Sequence, residues 1–167
     1  MTDIIKIWRA GRVMRWHVNP HLCGTTDPDD GHAARVTLMA LSMCPDMSRN
    51  GIIRGLTHDL GEHAAGDMSH MVKVQNPKLA AEIASMEHMA ILGLGFDQPK
   101  LNDFEGNLIK LCDWLDAWLW MAHNAPHLRN RADWRAQKKS AHNLAGSLGL
   151  LDHITQVERD IEAEHSS

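Results

Sequence analysis

The chain, 167 residues long, reads as an all-α protein. Two apolar stripes at helical spacing carry that expectation. His32, Val36, Met39 and Met43 follow i, i+4, i+7 and i+11, and Leu108, Leu111, Cys112, Leu115, Leu119 and Ala122 mark a longer one. No segment alternates apolar and polar residues over the length of a strand. Breaks at Asn19-Pro20, Asn76-Pro77, Pro99 and Pro126 divide the chain into helix-sized pieces. One core suffices at this length, so a single domain over residues 1–167 is expected.

A first helix is expected from Asp3 to His17, stopping near Asn19-Pro20 because the residue before a proline is pushed out of the α region. The turn-rich run P-H-L-C-G-T-T-D-P-D-D-G follows as a loop, and its final acids suit the cap of a second helix beginning near Asp30. A third helix is expected from Asn50 to Ala64, with a loop at Gly66. Asn76 as cap and Pro77 in the first turn open a helix reaching Leu92. Gly93 to Asp103 is a connection, and the long helix that follows ends before Pro126. Two more, Asp133 to Leu148 and Asp152 to Glu164, lead into a polar tail expected to fray. Met39, Met43, Met86 and Met89 read as core filler. Trp114, Trp118 and Trp120 wrap round the long helix, so at least one is expected to face a partner subunit.

With 17 Lys and Arg against 21 Asp and Glu, the net charge of −4 draws the molecule as a whole to neither nucleic acid nor an anionic membrane. An anionic substrate would need a local cluster of bases. No apolar run is long enough to span a bilayer. The start, M-T-D-I-I-K-I-W-R-A-G-R, interrupts its apolar positions with charge, unlike a signal peptide. Cys23, Cys44 and Cys112 lie far apart with no C-x-x-C pair, which suits buried, reduced thiols in a cytoplasmic protein.

The stretch T-H-D-L-G-E-H-A-A-G-D, residues 57 to 67, crowds ionisable groups beside Ile52, Ile53 and Leu56. Polar groups next to a core cost free energy unless something pairs with them, and a metal ion would. On a helix His58 and Glu62 share a face, with Asp59 rotated from His58 by about 100°. A cation held between His58 and Asp59 needs further donors, and the sequence offers His32 and Asp113. Lys110, three residues before Asp113, projects from the same side of its helix. Mixed imidazole and carboxylate ligation suits Zn²⁺, Mn²⁺, Co²⁺ or Fe²⁺. Asp116 reads as a helix-surface charge, and His63, His70, His88, His123 and His127 as surface or supporting histidines.

His32, the adjacent His58-Asp59 and the distant Asp113 resemble the H…HD…D pattern of the HD-domain metal-dependent phosphohydrolases, which implies an HD-domain helical bundle. Arg15-Trp16, the run H-D-x-x-E-x-x-x-x-D from His58 to Asp67, and Lys73 are similar to the small bacterial 5′-deoxynucleotidases. The run R-W-H-V at Arg15 to Val18, with Lys110 one turn before the last ligand, resembles more narrowly the dATP triphosphohydrolases of bacteriophages that replace adenine with diaminopurine. The resemblance covers about Arg9 to Ala122. It departs at Ala33, where many relatives carry a small hydroxylated residue, so the first histidine needs its supporting hydrogen bond from elsewhere.

The resemblance implies hydrolysis of dATP to deoxyadenosine and triphosphate, with a 5′-deoxynucleotidase acting on monophosphates as the alternative. It implies a divalent ion (Zn²⁺, Co²⁺ or Mn²⁺) on His32, His58, Asp59 and Asp113, with Mg²⁺ as an optional second ion across Asp59. Arg15, Lys73 and Lys110 would hold the phosphates. Asp59 and Glu62 would be catalytic, Glu62 orienting or deprotonating the attacking water and returning a proton to the leaving 5′-oxygen. Asp67 would face the sugar 3′-hydroxyl and Trp16 would fill the space of a ribose 2′-hydroxyl. Val18 would crowd a 2-amino group and so favour adenine. Relatives of this kind form homo-oligomers, dimers or hexamers. A non-catalytic nucleotide sensor on a degenerate scaffold is the competing class, against which the complete ligand set speaks.

Overall fold

A computed structural model describes residues 3–164, and for His70 and Met71 the backbone alone. It is an all-α bundle: α1 (Ile4–Ala10), α2 (Asp29–Met43), α3 (Arg49–Thr57), α4 (Glu62–Ala65), α5 (His70–Gln75), α6 (Pro77–Gly93), α7 (Asp103–Asn124), a 3-10 turn (Pro126–Leu128), α8 (Ala132–Leu148) and α9 (Leu151–Glu164). The expected fraying of the tail falls on residues 165–167, outside the described part. No described helix is long and apolar enough to cross a membrane.

The long helix α7 is the axis, as its unbroken apolar stripe requires. One flank packs on α2 through Val36, Ala40, Leu108, Ile109 and Cys112. The other meets α8 and α9 through Leu111, Leu115, Ala141, Ala145 and Ile154. Its C-terminal turns bury Trp118, Met121 and Ala122 against Leu22, Leu128 and Trp134. At the start of α3, the Ser48 amide and hydroxyl both donate to the buried Glu105 of α7, at 2.6 and 2.9 Å, which locks α3 to α7. Two glycines then set how closely the histidine-bearing turn approaches its neighbours. A Cβ at Gly55 would fall 2.6 Å from Thr37 Oγ1 of α2, and one at Gly61 would fall 2.7 Å from the Glu87 backbone of α6. Both contacts forbid a side chain.

Several elements differ from expectation. The first helix ends at Ala10 and does not reach His17, because the chain after Gly11 pairs in extended form with the start of α2. Arg15 N–H donates to the Asp27 carbonyl, and the Asp29 and Asp30 amides donate to Val13 and Gly11, each at 3.0 Å. That tertiary pairing overrides helical propensity, and Trp16 takes a left-handed φ of 67°. The third helix stops at Thr57, where tight turns (Leu60 N–H to Thr57 O, Glu62 N–H to Asp59 O) replace α-helical bonding before the short α4. His58 and Glu62 therefore do not share one continuous helix. A short α5, capped by Ser69, occupies a stretch that carried no helical expectation.

Asp29 and Asp30 do not cap α2 in the expected manner, since Pro28 is the cap residue and Asp29 is turned inward. Met86 and Met89 are exposed, because α6 buries Ile83 and Ile91, with Leu94 just past its end, and the two methionines lie off that line. Trp118 is buried, Trp114 stacks on it, and Trp120 donates to Thr25 Oγ1 at 3.0 Å, Trp114 and Trp120 remaining half-buried. Of the thiols, Cys112 is buried and Cys44 partly so, while Cys23 is exposed.

Candidate metal centre

The centre forms where α2, α7 and the turn after α3 meet. His32, in the first turns of α2, is fully buried. Its Nδ1 lies 2.7 Å from Asp116 Oδ2 and its Nε2 faces the turn after α3. His58, at the end of α3, donates Nδ1–H to the Gly55 carbonyl at 2.8 Å. The same division holds in both rings: Nδ1 is engaged, and among the described residues the buried Nε2 makes no hydrogen bond of good geometry, although carboxylates stand near it. One ligand atom from each of His32, His58 and Asp59 lies within 4.8 Å of the others. Asp59 Oδ2 stands 3.4 Å from either Nε2. Asp113 Oδ1 approaches His32 Nε2 at 3.1 Å from the solvent side, outside the tight span of the other three.

Two buried imidazole nitrogens that face carboxylates without a well-formed hydrogen bond carry a desolvation cost that a bound cation between them would remove. An imidazole whose Nδ1–H is held by a carboxylate or carbonyl is set up to ligate through Nε2. The group His32, His58 and Asp59 can therefore hold a metal ion. The field agrees: burial alone would lower the His32 pKa, but Asp113, Asp116 and Asp59 outweigh it and raise it to about 10. The same carboxylates that favour a proton there favour a cation. Asp59 is held ionised, well below the ordinary carboxylate range, since His58, His32 and Arg15 overcome its burial.

Asp116 is no surface charge. It is 4% exposed, accepts from His32 Nδ1, and takes both Nε and Nη2 of Arg35 at 2.6 and 2.9 Å. It thus supplies the hydrogen bond that Ala33 cannot. Arg35 reaches on to Asp27 at 2.7 Å, and Asp27 accepts the Trp16 indole N–H at 2.9 Å. A continuous chain of charge-assisted bonds, half-exposed at Arg35, runs from the indole to the His32 ring.

The remaining predicted residues fall around this core. Arg15 lies against the His32 ring, with Asp116, Asp27 and Asp113 at 3.4, 3.5 and 3.9 Å. The Trp16 amide donates to Asp67 at 3.2 Å, which sets the two side by side. Glu62 is buried, and burial together with the charges of Asp59, Asp67 and Asp29 raises its pKa to about 9. Lys73 pairs with Glu87 at 3.4 Å. Lys110 lines a cavity beside His58 and Asp113, and Val18 stands 55% exposed on the turn after Trp16. His63, His88, His123 and His127 are exposed, as expected, while the His70 side chain lies outside the described residues.

Asp116, Arg35, Asp27 and Asp29 were not anticipated from the sequence. Asp113 and Asp116 are one turn apart, as are His32 and Arg35, and that spacing was the available signal. Asp29 is 1% exposed with neither carboxyl oxygen hydrogen-bonded, and burial together with Asp59 raises its pKa to about 8. No protein-family model, curated protein or solved structure matches the chain.

Proposed function

We propose that the chain is a metal-dependent phosphohydrolase of the HD-domain kind, acting on dATP and releasing deoxyadenosine and triphosphate. The observation that carries this reading is the pair of buried Nε2 atoms of His32 and His58, neither hydrogen-bonded among the described residues, facing one carboxylate of Asp59. His32, His58 and Asp59 would hold the ion, with Asp113 closing the site from solvent. When bound, a divalent ion of the Zn²⁺, Co²⁺ or Mn²⁺ type lowers the pKa of water and offsets charge on a phosphoryl oxygen.

The chain's own groups supply the rest. Water adds to phosphorus as the bond to the sugar 5′-oxygen breaks, the water's proton passing to a phosphate oxygen or solvent, while the leaving oxygen takes a proton from the protein. Glu62, raised to about 9, carries one at neutral pH and is the donor. Asp67 and Trp16, joined through the Trp16 amide, form the edge on which a deoxyribose would rest, the indole filling the place of a 2′-hydroxyl. Val18, free to meet a base, would crowd a 2-amino group and select adenine over guanine or diaminopurine. An organism with such an enzyme would lose dATP while keeping diaminopurine triphosphate. Exposed Ile4, Ile5 and Trp8 on α1 support self-association.

A 5′-deoxynucleotidase acting on monophosphates is the second reading. It is favoured by the engagement of Arg15 with Asp27, Asp113 and Asp116 and of Lys73 with Glu87, which leaves those bases partly neutralised. Chromatography of the products from all deoxynucleoside mono- and triphosphates, over a Mn²⁺, Co²⁺, Zn²⁺ series with His58→Ala as control, tests both. Release of triphosphate from dATP supports the first, and phosphate from dAMP alone the second. Equal turnover of dATP and dGTP would remove the adenine selection. Failure of every nucleotide with every metal would leave a sensor.

A further inference from the structure

The two sides of the metal centre differ in charge. Asp27, Asp29, Asp59, Glu62 and Asp67 crowd the side of Trp16, and the bases there, Arg15 and Lys73, are already paired with acids. That side therefore offers a phosphate chain no base that is free of an acid partner among the described residues. On the other side, a cavity of about 460 Å³ lies between the end of α3, the loop at Lys100 and the first turns of α7. His58 and Asp113 are part of its wall, so it opens directly on the centre.

Three cations line that cavity, Arg54, Lys100 and Lys110, against Asp103 and Asp113. If Asp113 is committed to an ion, the balance is strongly positive. Lys100 and Lys110 are exposed and make no ion pair among the described residues. Arg54 is anchored by its Nη2, which donates to the Gln98 and Pro99 carbonyls at 2.9 and 3.2 Å, and its buried Nε has no partner. That anchoring holds the guanidinium in the cavity wall as a fixed positive charge. The volume falls within the range of small-molecule sites, roughly 300–1,000 Å³.

We infer that this cavity receives the polyphosphate tail of a nucleoside triphosphate, with the scissile phosphate at the His58 and Asp113 end and the outer phosphates against Lys110, Lys100 and Arg54. The inference rests on the reading of the centre as a phosphohydrolase and adds what that reading lacks: Arg54 and Lys100 as the residues that favour a triphosphate over a monophosphate.

Calorimetric titration of the full chain with inorganic triphosphate and with orthophosphate, in the presence of Mn²⁺, is the test. Triphosphate should bind at least about tenfold tighter, the worth of one further charge-assisted contact. Lys100→Glu, an exposed substitution, should remove most of that ratio while the thermal midpoint stays unchanged. Arg54→Gln should weaken triphosphate binding too, but its anchoring role makes Lys100→Glu the deciding variant. Equal affinity for the two anions, or a ratio untouched by Lys100→Glu, overturns the inference. The functional reading fails separately: if no nucleotide is cleaved with any metal but the ratio holds and depends on Lys100, the cavity stands as a polyphosphate site without the hydrolase. If dAMP and dATP are cleaved equally well and the ratio is absent, the hydrolase stands without the tail site.

Discussion

Replacing Asp116 with asparagine tests whether the carboxylate behind His32 acts on the metal or merely fills space. The substitution keeps volume and one acceptor oxygen but removes the charge that His32 and Arg35 share at 2.6 to 2.9 Å. Supporting carboxylates of this kind are worth about 10–100-fold in metal affinity. Asp116 also carries stability. Although burial opposes its charge, His32 and Arg35 lower its pKa from 3.8 to about 2, a difference of roughly 2 kcal/mol in favour of the ionised fold. A folded-state pKa below the unfolded one contributes stability that is present above pH 3.8 and lost as pH falls toward 2. Competition against a chromophoric chelator should show weaker Mn²⁺ or Zn²⁺ binding by Asp116→Asn, about 10–100-fold. Urea melts should show a deficit of about 2 kcal/mol at neutral pH that closes in acid. Metal affinity within twofold of wild type would refute the assignment, whatever the melts show.

Metal uptake should expel a proton, because His32 holds one up to a pKa of about 10 when no ion is bound. Apparent affinity should then rise about tenfold per pH unit below that value, and titration in two buffers of different ionisation enthalpy should count the proton; a flat profile would contradict it. Glu62→Gln should lower kcat by about 10²–10⁴ while leaving metal affinity near wild type, and should abolish the fall in rate expected as pH rises toward about 9. An unchanged alkaline limb would remove Glu62 as proton donor. Gly61→Ala places a Cβ 2.7 Å from the Glu87 backbone, which cannot turn aside. The cost should be about 1–3 kcal/mol, seen as a thermal midpoint roughly 3–10 °C lower, and an unshifted midpoint would argue against that close approach.

The long helices were legible because their apolar stripes repeat over many turns, as in α7, where burial at Leu108, Leu111 and Leu115 follows the pattern read from the sequence. The segment from Gly11 to Trp16 was not, because its conformation is set by pairing with residues 27–30, a contact no local pattern encodes. The same holds for the turn after Thr57: Gly55 and Gly61 are there for neighbours on α2 and α6 that only the fold brings near. Within the centre, His32, His58 and Asp59 were readable as a group, since adjacency and order carry them. Asp116 and Asp29 were misread or missed because a lone acid on a helix is usually solvated, and burial cannot be seen in the residue itself. Met86 and Met89 erred the other way, apolar residues on a face left uncovered.

The bonded chain from the Trp16 indole through Asp27, Arg35 and Asp116 to His32 makes moving either end to another scaffold a two-ended problem. Grafting the R-W-H-V run onto a scaffold without acids at the places of Asp27 and Asp116 would leave the indole unanchored and the histidine without its hydrogen-bond acceptor. Conversely, any change at Trp16 would be felt at His32 through the same bonds. Any redesign at Trp16 must carry Asp27, Arg35, Asp116 and His32 along as one inherited unit.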